Sequence, residues 1–177
     1  MSASYYSFWL VPQEPDLANF QGIINTLAEC FGTVPFCPHV TLYSGALPPS
    51  VEVGRLLETV LQPVEPVELA IANLTYEPRF SKTLFVQLNQ TPLLVQLVNR
   101  LVSAIPDAQL PPLDPHLSLL YHSLDNTIKQ GLAEKITLTR PSIWFDQVQA
   151  IAAPYTFETQ AHVASLRCVH TQLLTTP

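Results

Sequence analysis

Charged residues and glycines are both scarce in this 177-residue sequence. Asp, Glu, Lys and Arg make up 12% of it, apolar residues make up 47%, and five glycines stand against seventeen prolines. This composition is typical of a globular chain and excludes an intrinsically disordered one. The absence of a glycine-rich phosphate loop also argues against Rossmann and P-loop nucleotide sites. We expect one domain, or two tightly packed lobes, over residues 1–177.

Positively charged residues are fewer than negatively charged ones. Eight Lys and Arg against fourteen Asp and Glu give a formal net charge of −6. A protein that grips a long nucleic acid usually presents a basic face. The acidic balance therefore argues against a large polynucleotide footprint, although it is compatible with a single nucleotide or an RNA end.

Cysteines and long apolar runs are scarce as well. The three cysteines are odd in number and form no C-x-x-C pair, so we expect neither a disulfide framework nor a zinc site. No apolar run approaches the roughly 20 residues that a membrane span needs. No Lys or Arg precedes Arg55, so the charged start of a secretory signal is missing. We expect a soluble, cytoplasmic monomer.

The hydrophobic pattern predicts strands and helices in mixed order. The predicted strands are 5–11, 36–44, 67–76, 83–88, 116–122, 143–152 and 162–174, with the last two forming a hairpin around Pro154. The predicted helices are 17–31, 49–60, 92–105 and 125–136, with Asp16, Thr91 and Asp125 as N-caps and Gly32 as a C-cap. A polar turn over 77–82 and a proline-rich loop over 106–115 complete the pattern. Strand pairs joined as hairpins favour an α+β fold over a doubly wound sheet.

One short motif occurs twice in the sequence. Residues 38–42 (PHVTL) and 115–119 (PHLSL) both fit P-H-[VL]-[ST]-L. Each copy follows a proline-bearing loop and is predicted to begin a strand. Because side chains alternate between the two faces of a strand, the histidine and the hydroxyl residue face one way and the apolar residues face the other. Two such strands side by side would offer two imidazoles and two hydroxyl groups to one small anion.

These groups suit the hydrolysis of a cyclic phosphodiester. One neutral imidazole can take a proton from water, and the second, as imidazolium, can protonate the leaving oxygen. The hydroxyl groups of Thr41 and Ser118 can hold the non-bridging oxygens. A single His-x-Thr is usually structural, but histidine at both equivalent positions favours a catalytic pair, His39 and His116. No third ligand stands at zinc spacing from them, so we expect neither a metal nor a cofactor.

The paired motifs resemble those of the two-histidine phosphoesterase superfamily. Three landmarks, Phe8–Pro12, Phe31–Thr33 and Pro115–Tyr121, are similar to the cyclic phosphodiesterase branch known from plants and yeast. The resemblance implies a bilobal α+β fold with two pseudo-symmetric lobes, antiparallel sheets lining a central cleft, and helices outside. It also implies hydrolysis of ADP-ribose 1″,2″-cyclic phosphate to the 1″-phosphate and of nucleoside 2′,3′-cyclic phosphates to 2′-phosphates.

The resemblance also implies roles for individual residues. His116 would be the base and His39 the acid, although the near symmetry of the motifs leaves the reverse assignment open. Tyr121 would close over the substrate, and Phe80 would offer an aromatic ring to the nucleobase of the substrate. Tyr43 continues the face of His39 along the strand, so it either lines the cleft or only packs there.

Several nearby residues are expected to be incidental. His122 would share the face of His116 in a regular strand and is expected at the rim of the cleft. Arg79 and Lys82 are expected to be solvated turn charges rather than contacts to a substrate diphosphate. The remaining histidines and the tryptophans are expected to be structural: Trp9, Trp144, His162 and His170.

Two other functions fit the same motifs. An RNA end could replace the small nucleotide, as in 2′-5′ RNA ligase-like members of the superfamily. Alternatively, the chain could bind a nucleotide without turning it over. The acidic charge argues against the first alternative, and the intact histidines argue against the second.

Overall fold

The computed structural model describes residues 4–110 and 112–175, which form strands and helices in mixed order. The strands are β1 (Ser4–Pro12), β2 (Val40–Leu47), β3 (Val67–Thr75), β4 (Leu84–Leu88), β5 (His116–Leu120), β6 (Ser142–Ala152) and β7 (Arg167–Leu173). The helices are α1 (Asp16–Phe31), α2 (Val53–Val60), α3 (Pro92–Ser103), α4 (Asn126–Lys135) and α5 (Gln160–Ala164), with a 3-10 turn at Phe80–Lys82. The predicted α+β class is confirmed.

All seven strands belong to one antiparallel sheet in the order β1-β2-β5-β4-β3-β6-β7, and β1 also pairs with β6. Strand β6 is shared, because its start pairs with β3 while the rest pairs with β1 and β7. The sheet therefore has two halves, β7-β6-β1-β2 and β6-β3-β4-β5. Besides β6, a single residue pair joins them, between Val40 of β2 and Leu117 of β5.

The helices pack against the sheet and bury a main apolar core, and a smaller separate cluster contains Trp9, Val11 and Ile151. Helix α1 contacts β1 and β5, α3 contacts β2 and α2, and α4 contacts β3 and β4. The strand residues Phe8, Val40, Leu117 and Phe145 are fully buried in this core. Val40 and Leu117 thus anchor the two motif copies on the apolar side of their strands, as the alternating pattern predicts.

Two predicted helix caps are confirmed. Gly32 ends α1 with φ of +63°, in the left-handed region that favours glycine. The Thr91 hydroxyl accepts a hydrogen bond from the backbone N–H of Leu94 at 3.2 Å, with Pro92 opening α3. Asp125 occupies the cap position of α4 but makes no capping side-chain hydrogen bond.

The starts of α1 and α2 differ from the prediction. Pro15, not Asp16, occupies the cap position of α1, and the buried Asp16 carboxylate instead pairs with Arg140 at 3.3 Å. Helix α2 begins at Val53 because the carboxylate of Glu52 caps it, accepting hydrogen bonds from two backbone N–H groups. The sequence pattern did not show that Asp16 would form a tertiary ion pair, nor that a glutamate would cap α2.

The last two predicted strands pair antiparallel, as β6 and β7, but the tight turn predicted between them is wrong. Residues 160–164 form α5, and β7 begins only at Arg167. The hydroxyl of Thr159 accepts a hydrogen bond from the backbone N–H of His162 at 3.2 Å, which caps the helix. A connection over residues 153–166 therefore replaces the tight turn around Pro154.

Two strands that carry the motifs are shorter than predicted. Strand β2 begins at Val40 rather than residue 36, because Pro35 and Pro38 break the ladder and Phe36 stacks on Tyr121. Strand β5 ends at Leu120, so His122 lies beyond it. Residue 111 of the predicted loop 106–115 lies outside the described residues. Within the described ranges, no helix is long and apolar enough to cross a membrane.

Candidate active site

The junction between the two halves of the sheet brings the motif copies together. Val40 and Leu117 pair directly, so the residues before them, His39 and His116, lie at neighbouring strand starts. Both histidines border one cavity of about 180 Å³. The side chains of Thr41 and Ser118 line the same cavity. The other lining residues are Tyr5, Ser7, Trp9, Ser44, Ser81, Tyr121, Ala153, Pro154, Tyr155, Phe157 and Leu166.

The His39 ring is buried and held on three sides. Its Nδ1 lies 2.7 Å from the backbone oxygen of Cys37, which can only accept, so Nδ1 carries the proton. The neutral ring therefore leaves Nε2 free to accept a proton, with the Tyr121 hydroxyl 3.5 Å away. Trp9 stacks on the imidazole with ring centroids 3.5 Å apart and planes 5° from parallel.

The His116 ring repeats the same backbone contact. Its Nδ1 lies 2.8 Å from the backbone oxygen of Asp114, two residues earlier, as Cys37 is for His39. The neutral ring again leaves Nε2 without a proton. The edge-on ring of Phe85 packs against it at 5.5 Å between centroids. In both copies of the motif, the histidine thus contacts the backbone oxygen two residues earlier and carries its proton on Nδ1.

Burial makes both imidazoles hard to protonate in the free protein. It lowers the pKa of His39 to about 3; the hydrogen bond to Cys37 opposes this effect, and the nearby His116 adds to it. Burial also lowers the pKa of His116, against the opposing hydrogen bond to the Asp114 carbonyl. Both rings are therefore neutral near pH 7. A bound phosphate anion would favour the protonated form of one of them.

The two hydroxyl residues of the motifs differ in setting. Ser118 is buried, and its Oγ donates a hydrogen bond to the backbone oxygen of Ser81 at 2.9 Å. Thr41 is exposed where it borders the cavity. Both residues line the cavity together with the histidine of their own motif, as the strand alternation predicts.

Of the three predicted substrate contacts, the structure places only Tyr121 at the cavity. Burial raises the pKa of the Tyr121 phenol, which keeps it a neutral hydrogen-bonding group. Phe80 packs behind it, with ring centroids 6.3 Å from both Tyr121 and Phe157. Tyr43 is half-buried against the core, with its ring in the space that a Cβ on Gly45 would fill. Neither Phe80 nor Tyr43 is among the residues that line the cavity.

Trp9 and Lys82 have closer links to the site than the sequence indicated. Trp9, expected to be only structural, lines the cavity and stacks on His39; Tyr5, Ser7 and Trp9 alternate along β1, a spacing that could have shown their shared face. The expectation that Lys82 is a solvated turn charge is wrong, because it is 4% exposed and ion-paired. Arg79 is exposed, as expected.

The other incidental residues lie away from the cavity. Trp144, His162, His170 and His122 are absent from its described lining. Among residues 4–110 and 112–175, no three His, Cys, Asp or Glu side chains form a group that could hold a metal ion.

Comparisons with known proteins point to one family. Residues 28–153, which include both motifs, match the family model of the 2′-5′ RNA ligase superfamily. A cyclic phosphodiesterase of Arabidopsis thaliana is 25% identical over 130 residues, 73% of this chain and 72% of that protein. The crystal structure of E. coli LigT in apo form superposes with a TM-score of 0.62 at 18% identity, over 99% of this chain and 100% of LigT. The protein TT0787 of Thermus thermophilus has a TM-score of 0.60 at 13% identity, over 96% of this chain and 97% of that one. These two structures bear on the fold alone.

Proposed function

Since the chain belongs to the 2′-5′ RNA ligase superfamily of two-histidine phosphoesterases, we propose that it opens a cyclic phosphate by metal-independent hydrolysis. The substrates are nucleoside 2′,3′-cyclic phosphates, converted to 2′-phosphates, or ADP-ribose 1″,2″-cyclic phosphate, converted to the 1″-phosphate. The observation that carries the proposal is the pair of imidazoles, each with Nε2 unprotonated, on one small cavity. The similarity to a cyclic phosphodiesterase supports it.

The proposed reaction uses the histidines in opposite proton states. Nε2 of His116 takes a proton from water as the water oxygen attacks phosphorus. Nε2 of His39, protonated once the anionic phosphate is bound, gives its proton to the departing sugar oxygen as the P–O bond breaks. The Thr41 hydroxyl donates a hydrogen bond to a non-bridging oxygen, and the Ser118 hydroxyl, which donates to the Ser81 backbone oxygen in the free protein, turns its proton to the phosphate when the substrate binds. Exchange of protons with solvent restores both rings.

The residue before each motif's proline supports this assignment of roles. Asp114 stands two residues before His116, and its carboxylate lies 3.9 Å from Nδ1. A carboxylate at this position stabilises the imidazolium that forms when the base takes a proton. Cys37 stands at the equivalent place before His39, and burial raises the pKa of its thiol to about 11, so it stays neutral. A protonated His39 without a carboxylate partner would be a strong proton donor.

The proposal predicts turnover of small cyclic phosphates without a metal. In excess EDTA, the purified protein should convert a nucleoside 2′,3′-cyclic phosphate into the 2′-phosphate, or the ADP-ribose cyclic phosphate into the 1″-phosphate. Phosphorus NMR measures the conversion. A double variant, His39→Asn with His116→Asn, prepared in parallel, controls for contaminating phosphodiesterases. Failure of both substrates, or loss of turnover on adding EDTA, would refute the proposal. Tight binding of a 2′-phosphate with no turnover would indicate a binding module instead.

The phosphate-holding role of Ser118 predicts a selective effect. Ser118→Ala should lower kcat/KM about 10- to 100-fold, because a hydrogen bond to a charged group contributes about 1.5–3 kcal/mol. Ser44→Ala is the matched control, since Ser44 lines the same cavity and its hydroxyl also donates within the protein, to Ser7 at 2.8 Å, but it belongs to neither motif. Steady-state kinetics on the better substrate measure both variants. Equal losses in the two variants would remove Ser118 from the phosphate site.

An RNA end is the second candidate, and the name of the matching family favours it. Against it, none of the described residues that line the cavity is a lysine or arginine. Preference for an oligonucleotide with a 2′,3′-cyclic end over the mononucleotide, with a steep loss of affinity in salt, would favour the RNA end.

A further inference from the structure

A buried ammonium group lies directly behind the second motif. Lys82 ends the 3-10 turn, is 4% exposed, and places Nζ 2.6 Å from Oδ2 of Asp114 and 3.0 Å from Oε1 of Glu77. The same Nζ lies 4.3 Å from the centre of the Phe85 ring, which also packs against His116. Two carboxylates and an aromatic face thus fix this side chain in place.

Asp114 transmits that constraint to His116. Its backbone oxygen accepts the hydrogen bond from Nδ1 of His116, while its carboxylate is held by Lys82 on one oxygen and by Gln87 on the other at 2.9 Å. Gln87 is also the strand partner of His116 and donates to the backbone oxygen of Pro115 at 3.0 Å. The loop that sets the orientation of the imidazole is therefore fixed at three successive residues, 114–116.

The 3-10 turn also holds the hydroxyl of the same motif. Ser81, one residue before Lys82, accepts the hydrogen bond from Ser118 through its backbone oxygen. One short turn therefore contacts both functional side chains of the second motif, His116 through Asp114 and Ser118 directly. Within the described residues, the first motif has no equivalent ion pair, since its histidine follows Cys37 and not an acidic residue.

We propose that Lys82 is a positioning residue for the acid–base step, holding Asp114 so that the His116 imidazole and the Ser118 hydroxyl meet the substrate together. This inference rests on the proposed phosphoesterase function. A lysine is costly to bury, and an apolar side chain of similar length would fill the same space at least as favourably. A positioning role explains why the charge is placed beside the reactive histidine.

A second buried lysine provides the matched comparison. Lys129 of α4 is 2% exposed, and its Nζ donates to the backbone oxygen of Glu77 at 3.0 Å. It contacts Glu77 at the backbone oxygen, whereas Lys82 pairs with the Glu77 carboxylate, and among the described residues it makes no hydrogen bond to Asp114 or His116. Lys82→Met and Lys129→Met therefore remove comparable buried charges, one linked to the site and the other not.

The charges that face His116 determine the expected pH effect. Asp114 and Glu77 raise the pKa of the imidazole, Lys82 lowers it, and His39 faces it across the cavity. Lys82→Met removes the cation that faces His116 and leaves the Asp114 carboxylate with Gln87 alone, so it should raise the pKa of His116. Asp114→Asn, at a half-exposed position, should lower it.

Kinetics and nitrogen NMR of the His116 ring test the inference together. We expect Lys82→Met to lower kcat about 10- to 100-fold with little change in KM, and to move the acidic limb of the kcat/KM profile upward. Lys129→Met should leave kcat and the acidic limb of the kcat/KM profile unchanged, even if its melting temperature falls as far as that of Lys82→Met. If wild type turns over no cyclic phosphate, the proposed function fails; an unchanged His116 titration in Lys82→Met then overturns the inference as well, and a shifted titration supports the link between Lys82 and His116.

Two results would overturn it. One is a Lys82→Met protein whose kcat and His116 titration match those of Lys129→Met. The other, which needs no substitution at a buried site, is an Asp114→Asn protein with the His116 titration and kcat of wild type.

Discussion

Either His39→Asn or His116→Asn is expected to lower kcat for the cyclic phosphate by about 100- to 10,000-fold, the usual contribution of a positioned proton donor or acceptor. The two rings border one cavity with Nε2 of each unprotonated, and the proposed reaction uses each ring for a different proton transfer in the same step. The double variant should lose little more than the worse single variant, because the two groups act as a unit. Rapid-quench and steady-state kinetics measure these losses.

The matched control for this prediction is His122→Asn. His122 lies just beyond β5, six residues from His116 in sequence and outside the described cavity lining. Its kcat should stay within about twofold of wild type, a change typical of substitutions away from the chemistry. A His39 or His116 variant that keeps more than a tenth of wild-type kcat would refute the paired acid–base scheme.

Acid should unfold the protein through His39. The pKa of this ring is about 3 in the folded state because of burial, against 6.5 for an unperturbed histidine. The unfolded chain therefore binds a proton that the folded chain excludes. The stabilisation is complete above about pH 6.5 and is lost as the pH falls, at about 1.4 kcal/mol per unit. By pH 4.5 the loss in unfolding free energy is about 2–3 kcal/mol from this one residue.

Urea denaturation near pH 7.5 and pH 4.5 isolates that contribution. The His39→Asn variant cannot titrate at this position, so it should lose about 2–3 kcal/mol less than wild type between the two pH values. Carboxylate contributions are common to both proteins and cancel in the difference. The control is His162→Asn, in α5 and outside the cavity, which should behave as wild type does. Equal losses in wild type and His39→Asn would contradict a neutral, buried His39.

The motif residues were predictable because strand alternation is a local rule. A histidine, an apolar residue and a hydroxyl residue in succession must divide between two faces, and the buried Val40 and Leu117 confirm that division. The α+β class followed in the same way from the spacing of apolar residues. The pairing of Val40 with Leu117 was not predicted, since no local pattern specifies a contact so distant in sequence.

The parts that escaped prediction depend on contacts between distant segments. Lys82 sits among polar residues in a turn, and nothing nearby shows that Asp114 will cover it. The stack of Trp9 on His39 requires β1 and the segment before β2 to meet. The last three residues of α5, 162–164, were assigned to a strand because a five-residue helix is too short to show a helical period.

Phosphorus NMR of a nucleoside 2′,3′-cyclic phosphate, incubated with the protein and EDTA in water enriched in oxygen-18, tests the central claim most directly. If the paired histidines activate water against the cyclic phosphate, the resonance of the 2′-phosphate appears with the isotope shift of one solvent oxygen. An unchanged cyclic phosphate resonance, or a 3′-phosphate product, would contradict the account for this substrate.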